Sequence, residues 1–149
     1  PAQVVIAGHK SAVERACEVA KAKGAKRALP LPVSAPFHSS LLKPASDRLR
    51  DYLEGVAFAS PAIPLINNVD VAVVTDAAAI KDALVRQAAS PVRWVETVQT
   101  MASLGVERVI ECGPGKVLSG LVKRIHGELA TDAINDQAAM DALLETIGS

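Results

Sequence analysis

The chain has 149 residues, and its 16 Lys and Arg balance its 16 Asp and Glu at a pI near 7.3. Half of the residues are hydrophobic and 21% are charged, which is typical of a globular protein and excludes a disordered one. The zero net charge argues against a general nucleic-acid-binding protein, and no apolar run reaches the ~20 residues that a membrane-spanning helix needs.

The first 67 residues predict short strands that alternate with helices. A β-branched run predicts a strand over residues 3–7, and apolar residues at helical spacing predict a helix over 11–23. Two prolines restrict residues 27–33 to an edge strand or an extended segment. A turn-rich segment leads into a helix over 41–53, and strand material follows at 63–66. This β-α-β-α-β order suggests a ferredoxin-like or split β-α-β module.

From Thr75 onward the pattern becomes that of a parallel α/β sheet. Asp76 is placed to cap a helix over 77–88, and Ser90-Pro91 predicts the start of another helix. The remaining elements alternate between strand and helix, and we predict them at 106–111, 116–125, 132–135 and 136–147. A strand, a glycine turn, a helix, a strand and a helix in this order are typical of parallel α/β proteins.

The glycine-rich turn at 113–115, followed by Lys116, resembles a phosphate-binding loop but has the wrong spacing. Ile110 and Val117 stand where a P-loop needs Gly and Ser or Thr. Leu118 replaces the third glycine of the dinucleotide fingerprint. We therefore predict a tight strand-to-helix turn, with Lys116 as a candidate to hold a ligand anion only secondarily.

The spacing of residues argues against a metal site and against a nucleophile elbow. The three histidines and two cysteines are not spaced like zinc ligands, so we expect no metal site. Ser103 lies in a segment that resembles part of a nucleophile elbow, but Met101 replaces its first glycine, and we predict a helix C-terminus there. Two cysteines are too few for a disulfide scaffold and indicate a reducing compartment, for which we expect the cytoplasm.

Charge is distributed unevenly along the chain. Residues 1–30 carry six basic and two acidic residues, whereas residues 127–149 carry five acidic residues and no Lys or Arg. The basic start is suited to attract an acidic partner, and a solvated helix face is the alternative interpretation.

His38 is the residue that best suits catalysis. It lies at the end of an extended, Pro-rich segment, between Phe37 and Ser39, in the kind of loop that often carries function. A neutral imidazole accepts a proton when one ring nitrogen is free and an acceptor holds the other. The alternative is a structural or merely exposed histidine, because no nucleophile is recognisable in the sequence.

Five sequence blocks, in one order, resemble the C-terminal half of the bacterial malonyl-CoA:acyl carrier protein transacylase family of fatty-acid synthesis. They are QVVIAG at 3–8, LPVSAPFHS at 31–39, PLINNV at 64–69, LVRQ with SPVRW within 84–94, and ECGPGKVLSGL at 111–121. The resemblance implies an α/β fold with two parts. Residues 1–67 would form a ferredoxin-like α+β small subdomain, and residues 68–149 the C-terminal part of an α/β-hydrolase-like core.

The resemblance also implies a reaction and its residues. Malonyl passes from coenzyme A to the phosphopantetheine thiol of acyl carrier protein through a malonyl-serine intermediate, with coenzyme A as a substrate carrier and no covalently bound cofactor. His38 matches the general base of the family, and Gln87 matches the residue whose main-chain carbonyl orients that base. Phe37 matches a substrate-binding position in related domains that select malonyl units, where a ring would crowd a methyl at C2. Simple packing of Phe37 beneath the loop is the alternative.

The family's serine elbow, its oxyanion segment and its carboxylate-binding arginine have no counterpart in these residues. Since the chain also begins at Pro1, without a Met, we expect a fragment that is inactive alone. Its expected partners are malonyl-CoA, acyl carrier protein and the missing N-terminal half of the same enzyme, with no nucleic acid or membrane. The alternatives are a non-enzymatic module that binds an acidic carrier protein through residues 10–27, and a standalone regulatory fold.

Overall fold

The computed structural model describes residues 3–148, and backbone packing divides them into two units, residues 3–93 and residues 94–148. Residues 1, 2 and 149, the outer ends of the two expected domains, lie outside the described residues. The boundary after residue 67 that the family resemblance implies stays a prediction about the whole fold. Within the described part, no helix is both long enough and apolar enough to cross a membrane.

The first unit contains three helices and a small antiparallel strand pair. Residues Leu65 and Ile66 pair with Val74 and Val73. The helices and strands are α1 (Lys10–Ala22), a 3-10 turn (Ser40–Leu42), α2 (Lys43–Glu54), β1 (Leu65–Ile66), β2 (Val73–Val74) and α3 (Ala77–Gln87). The three predicted helices are therefore confirmed with ends that differ by one or two residues.

Helices α2 and α3 pack against each other and form the core of this unit. The start of α3 is fixed as predicted, because the Asp76 Oδ1 accepts the Ala79 N–H at 2.7 Å. The buried side chains Ile80 and Val85 of α3, with Leu53 of α2, contribute apolar surface to this core.

The strand predicted at 3–7 is wrong, and of the two alternatives for residues 27–33 the edge strand is absent, which leaves the extended segment. Both segments have no regular structure, and Val4 and Leu29 remain 85% and 67% exposed. β-branched residues favour a strand only where a neighbouring strand supplies backbone partners, and neither segment has one within residues 3–148. The strand material at 63–66 is reduced to β1, and its partner β2 was not predicted. The β-α-β-α-β order expected for residues 1–67 is therefore absent from the described residues.

The second unit is a parallel α/β arrangement, as predicted. Its strands pair in parallel, with Arg108 opposite Ala130 and Cys112 opposite Ile134. Its core contains Val98 and Val122, both fully buried. The elements are α4 (Trp94–Ser103), β3 (Arg108–Cys112), α5 (Val117–Ile125), β4 (Ala130–Ile134) and α6 (Gln137–Ile147).

The predicted helix start at Ser90-Pro91 is wrong, since α4 begins at Trp94. The Ser90 N–H donates to the Gln87 carbonyl at 3.3 Å, so Ser90 belongs to the turn that closes α3. The Arg93 N–H donates to the Asn68 carbonyl at 3.2 Å, which holds the segment before α4 in an extended path. The prediction for Ser103 is confirmed, because it is the last residue of α4.

Candidate functional site

His38 lies in a tight turn between the extended segment and the 3-10 turn that precedes α2. Its φ is +58°, in the left-handed region that non-glycine residues rarely adopt, although histidine is among the more tolerant. The Ser39 hydroxyl donates to the Pro36 carbonyl at 2.7 Å and closes the turn around His38. The imidazole is exposed in this unit. A strained, closed turn therefore presents the ring to its surroundings.

The structure brings His38 and Gln87 together although they are 49 residues apart in sequence. The His38 Nδ1 lies 3.1 Å from the main-chain oxygen of Gln87. Gln87 is the last residue of α3, so its carbonyl has no partner further along the helix. The end of α3 thus offers a main-chain acceptor to the imidazole.

This hydrogen bond selects the Nδ1–H tautomer of the neutral His38 imidazole. A carbonyl oxygen only accepts, so Nδ1 carries the proton and donates it to Gln87. In the neutral ring, Nε2 then has a free lone pair and no hydrogen. The same Nδ1–H bond is kept when Nε2 gains a proton. The arrangement is therefore suited to accept a proton at Nε2 and later to release it.

Arg86, the residue before Gln87, is held by two carboxylates. Its two terminal nitrogens donate to the two Asp70 oxygens at 2.8 and 2.7 Å, and its Nε donates to Asp82 at 2.6 Å. These hydrogen bonds lower the pKa of both carboxyls and raise the pKa of Arg86. Sequence reasoning missed this cluster, and the family block LVRQ was its only signal.

A buried hydroxyl also ties α2 to the last turn of α3. The Ser46 Oγ donates to the Val85 carbonyl at 2.6 Å, and Ser46 is 7% exposed. Like the carbonyl of Gln87, that of Val85 belongs to the helix end, where no later N–H within the helix is available. This bond fixes the start of α2, a few residues after His38, against the end of α3.

Phe37 directly precedes His38 and keeps 49% of its surface exposed. Its main-chain N–H donates to the Ala35 carbonyl at 2.9 Å, within the same turn. The ring is therefore not sequestered beneath the loop in this unit.

Two cavities among the described residues lie elsewhere. One of about 490 Å³ in the first unit is lined by residues that include Arg50, Phe58 and Lys81. Another of about 490 Å³ in the second unit is lined by residues that include Lys116 and Thr131. Neither is lined by His38 or Gln87.

The glycine-rich turn before α5 is a tight strand-to-helix turn, as predicted. Gly113 and Gly115 have φ of +141° and +96°, which only glycine adopts readily. The Glu111 Oε2 accepts the Ser119 N–H at 2.8 Å and the Ser119 hydroxyl at 2.9 Å. Hydrogen bonds from this first helical turn, that of the Ser119 N–H above all, lower the pKa of Glu111. The helix end that Lys116 precedes is thus occupied by the chain's own carboxylate, which disfavours the ligand anion considered for Lys116.

Potential metal ligands do not cluster in the described ranges. Among residues 3–148, no group of three or more His, Cys, Asp or Glu side chains is placed to hold a metal ion. Cys17 and Cys112 are both free thiols.

Comparison with curated proteins finds similar proteins that cover almost all of this chain. The Malonyl CoA-acyl carrier protein transacylase of Salmonella typhimurium is 58% identical over 144 residues, covering 97% of this chain and 47% of that protein. The protein of the same name from Escherichia coli is 57% identical over 145 residues, with the same two coverages. The chain thus spans about half the length of the curated relatives it matches. No protein-family model matches it.

Solved structures give the same result. An acyl-carrier-protein S-malonyltransferase from Burkholderia pseudomallei matches with a TM-score of 0.89 and 67% identity, over 93% of this chain and 45% of that one. A malonyl-transacylase in complex with its type II PKS acyl-carrier protein matches with a TM-score of 0.90 and 52% identity, over 93% and 45%. The family resemblance predicted from the five sequence blocks is confirmed.

Proposed function

We propose, on the premise that this chain corresponds to the C-terminal part of a malonyl CoA-acyl carrier protein transacylase, that it supplies the general base for malonyl transfer. The observation that carries the proposal is the 3.1 Å hydrogen bond between His38 Nδ1 and the Gln87 carbonyl. It leaves Nε2 as the free basic nitrogen on an exposed ring. The nucleophilic serine would come from the part of the transacylase outside these 149 residues.

In the first half-reaction, Nε2 of His38 takes the serine proton while the serine oxygen attacks the malonyl thioester carbonyl. The C–S bond breaks, and the imidazolium returns the proton to the departing coenzyme A sulfur. In the second half-reaction, Nε2 takes the proton of the carrier's phosphopantetheine thiol. That sulfur attacks the malonyl-serine carbonyl, the ester C–O bond breaks, and the proton passes to the departing serine oxygen. No net proton is gained or lost.

The main-chain role of Gln87 distinguishes it sharply from a charged orienting residue. A carbonyl fixes the tautomer and direction of the ring, and it survives any substitution that leaves α3 helical. The side chain of Gln87 should therefore contribute little to the reaction.

The test uses the full transacylase with His38→Ala, Gln87→Ala and, as a matched histidine control, His9→Ala. Loss of the base should lower kcat/KM for malonyl transfer by about 10²- to 10⁴-fold. Gln87→Ala should stay within about threefold of the parent enzyme, and His9→Ala should equal it. Equal losses at positions 38 and 87 would exclude the main-chain role, and an active His38→Ala enzyme would exclude the base.

Phe37 is proposed to disfavour a methyl group at C2 of the substrate. Its place directly before His38 and its 49% exposure support this role. Exclusion of one methyl is worth about 1–3 kcal/mol, so Phe37→Ala should raise the methylmalonyl-to-malonyl ratio of kcat/KM about tenfold. Phe37→Leu serves as the bulky control. A ratio unchanged in Phe37→Ala would show that the ring only packs.

The proposed partners are malonyl-CoA, acyl carrier protein and the remaining part of the transacylase. Contact with an acidic carrier is supported by α1, which has no buried residue and lies in the basic first 30 residues. Carrier binding through this segment should weaken as salt rises. The similarity to transacylases does not favour the non-enzymatic binding module.

The fold of the whole enzyme is proposed to include the two parts implied by the family. Residues 3–7 and 27–33 would become strands of the ferredoxin-like subdomain, and residues 68–149 would join the α/β-hydrolase-like core. The exposed apolar side chains Val4 and Leu29 support this assignment. Amide hydrogen exchange in the full enzyme tests it, because paired strands would protect residues 3–7 and an unpaired segment would not.

The free thiols support a cytoplasmic location.

A further inference from the structure

We propose that Asp70 is a positioning residue for His38 and acts through Arg86 on the main-chain carbonyl of Gln87. The inference rests on the proposed function, because it concerns the orientation of the proposed base. The Asp70 carboxylate accepts hydrogen bonds from Arg86, and the His38 imidazole lies against Gln87, so the effect of Asp70 is transmitted through the last turn of α3.

The first step is the geometry of Arg86. Both terminal nitrogens contact Asp70, at 2.8 and 2.7 Å, so the carboxylate meets the planar guanidinium at two points. Such a forked contact fixes direction as well as distance. The Nε contact to Asp82, at 2.6 Å, fixes the guanidinium from a third side.

The second step is the position of Arg86 in the chain. It immediately precedes Gln87, and the helix ends there. The turn that follows α3 donates the Ser90 N–H to the Gln87 carbonyl at 3.3 Å, and the side-chain contacts of Arg86 hold the same last turn from outside the helix. A restrained Arg86 therefore restrains the carbonyl to which His38 donates.

The third step is that the loop holding Asp70 is itself fixed. The Asn67 Oδ1 accepts the N–H groups of Val69 and Asp70 at 3.0 and 2.7 Å. Val71, a β-branched residue, has a φ of +56°, which such residues avoid. A strained residue persists where its surroundings over-determine the loop, and strain of this kind clusters at functional sites.

The contact between Arg86 and Asp70 is too exposed to contribute much to folding stability. The side chains of Arg86 and Asp70 are 38% and 42% exposed, and ion pairs this exposed add little to folding stability. The chain offers a matched pair in the second unit, where Arg108 and Asp132 lie 2.8 Å apart with side chains 36% and 39% exposed. Removal of either pair should have a similar, small effect on stability, but only the first should reach His38.

The experiment uses the full transacylase with Asp70→Ala, the near-isosteric Asp70→Asn, and Asp132→Ala as the matched control. Steady-state malonyl transfer gives kcat and KM, and ¹⁵N NMR of the imidazole gives the share of the Nδ1–H tautomer at His38. Asp70→Ala should lower kcat about tenfold, leave KM for malonyl-CoA within about twofold, and lower the share of the Nδ1–H tautomer. Asp70→Asn, which keeps one acceptor oxygen, should lie between Asp70→Ala and the parent enzyme.

The proposal is overturned if Asp70→Ala and Asp132→Ala give the same kcat and the same tautomer share. It is also overturned if Asp70→Ala changes only the thermal stability or only the KM for malonyl-CoA. Should Asp70→Ala fail to fold, Asp70→Asn decides by the same two readouts. Failure of the proposed function is a different result, in which His38→Ala itself keeps its activity.

Discussion

The hydroxyl of Ser39 offers a direct test of how the turn holds His38. Serine before a helix ordinarily accepts an N–H from the first helical turn, but Ser39 makes no such capping bond. Its hydroxyl instead donates to the Pro36 carbonyl at 2.7 Å, across the left-handed His38. Ser39→Ala removes this bond and nothing else of the turn's backbone.

The magnitude follows from two opposing terms. A left-handed non-glycine residue costs about 1–2 kcal/mol, and an ordinary hydrogen bond contributes about 0.5–1.5 kcal/mol. The two nearly offset each other, so the bond decides how fully the turn is populated. A loss of about 1 kcal/mol lowers the equilibrium constant for the formed turn about fivefold, so a turn that is formed about half of the time falls to about one sixth, and we expect kcat to fall about threefold.

The assay is malonyl transfer by the full transacylase, measured at saturating malonyl-CoA. Ser40→Ala is the adjacent control, since Ser40 is exposed and lies outside the turn's closing bond. Ser39→Thr keeps a hydroxyl and should restore most of the rate. If Ser39→Ala and Ser40→Ala have equal kcat, the hydroxyl does not hold the turn and the reasoning is refuted.

Three further predictions concern stability, measured by denaturation of the full enzyme. Hydrogen bonds lower the pKa of Glu111, so its carboxylate stabilises the fold fully above the ordinary glutamate pKa of about 4.3. This stabilisation is lost as the pH falls through the lower pKa of the folded state. Glu111→Gln should flatten the loss of stability in acid, and an unchanged pH profile of stability would contradict the capping role of Glu111. Asp76→Ala and Asp136→Ala should each lower the free energy of unfolding by about 0.5–2 kcal/mol, because the Oδ1 atoms of these residues cap α3 and α6. A decrease below about 0.3 kcal/mol would contradict the capping role. Val71→Gly should stabilise by about 1 kcal/mol, since relief of about 1–3 kcal/mol of strain exceeds the entropy cost of glycine, and a less stable variant would show that the Val71 side chain contributes more than its strain.

Local chemistry made part of the fold predictable. The capping carboxylates of Asp76 and Asp136 directly precede α3 and α6, so the residue that indicates each helix start is adjacent in sequence to that start. The strand, glycine turn and helix over 108–125 were predictable for the same reason. Residues 3–7 and 27–33 were not, because a β-branched segment forms a strand only with a partner that its own sequence does not specify.

The site divides in the same way. His38 was recognisable as a candidate base because the residue type and its turn are local features. The carbonyl that contacts it belongs to Gln87, 49 positions away, and the side-chain type of Gln87 does not indicate that its main-chain oxygen is used. Only the family resemblance supplied that residue. The Asp70–Arg86 contact escaped prediction because it joins a hairpin loop to a helix end, 16 positions apart.

The two helix ends that matter here have opposite polarity, and this decides what each can bind. The N–H groups that begin α5 attract a carboxylate, and Glu111 supplies one from within the chain. The carbonyls that end α3 can only accept, so they suit an N–H donor such as the His38 imidazole. Each residue of an α-helix turns by about 100°, so the last carbonyl of a helix that ended one residue earlier or later would lie on a different side of the helix axis. The direction of the proposed base therefore depends on the carbonyl at the end of α3, next to the residue that Asp70 and Asp82 hold.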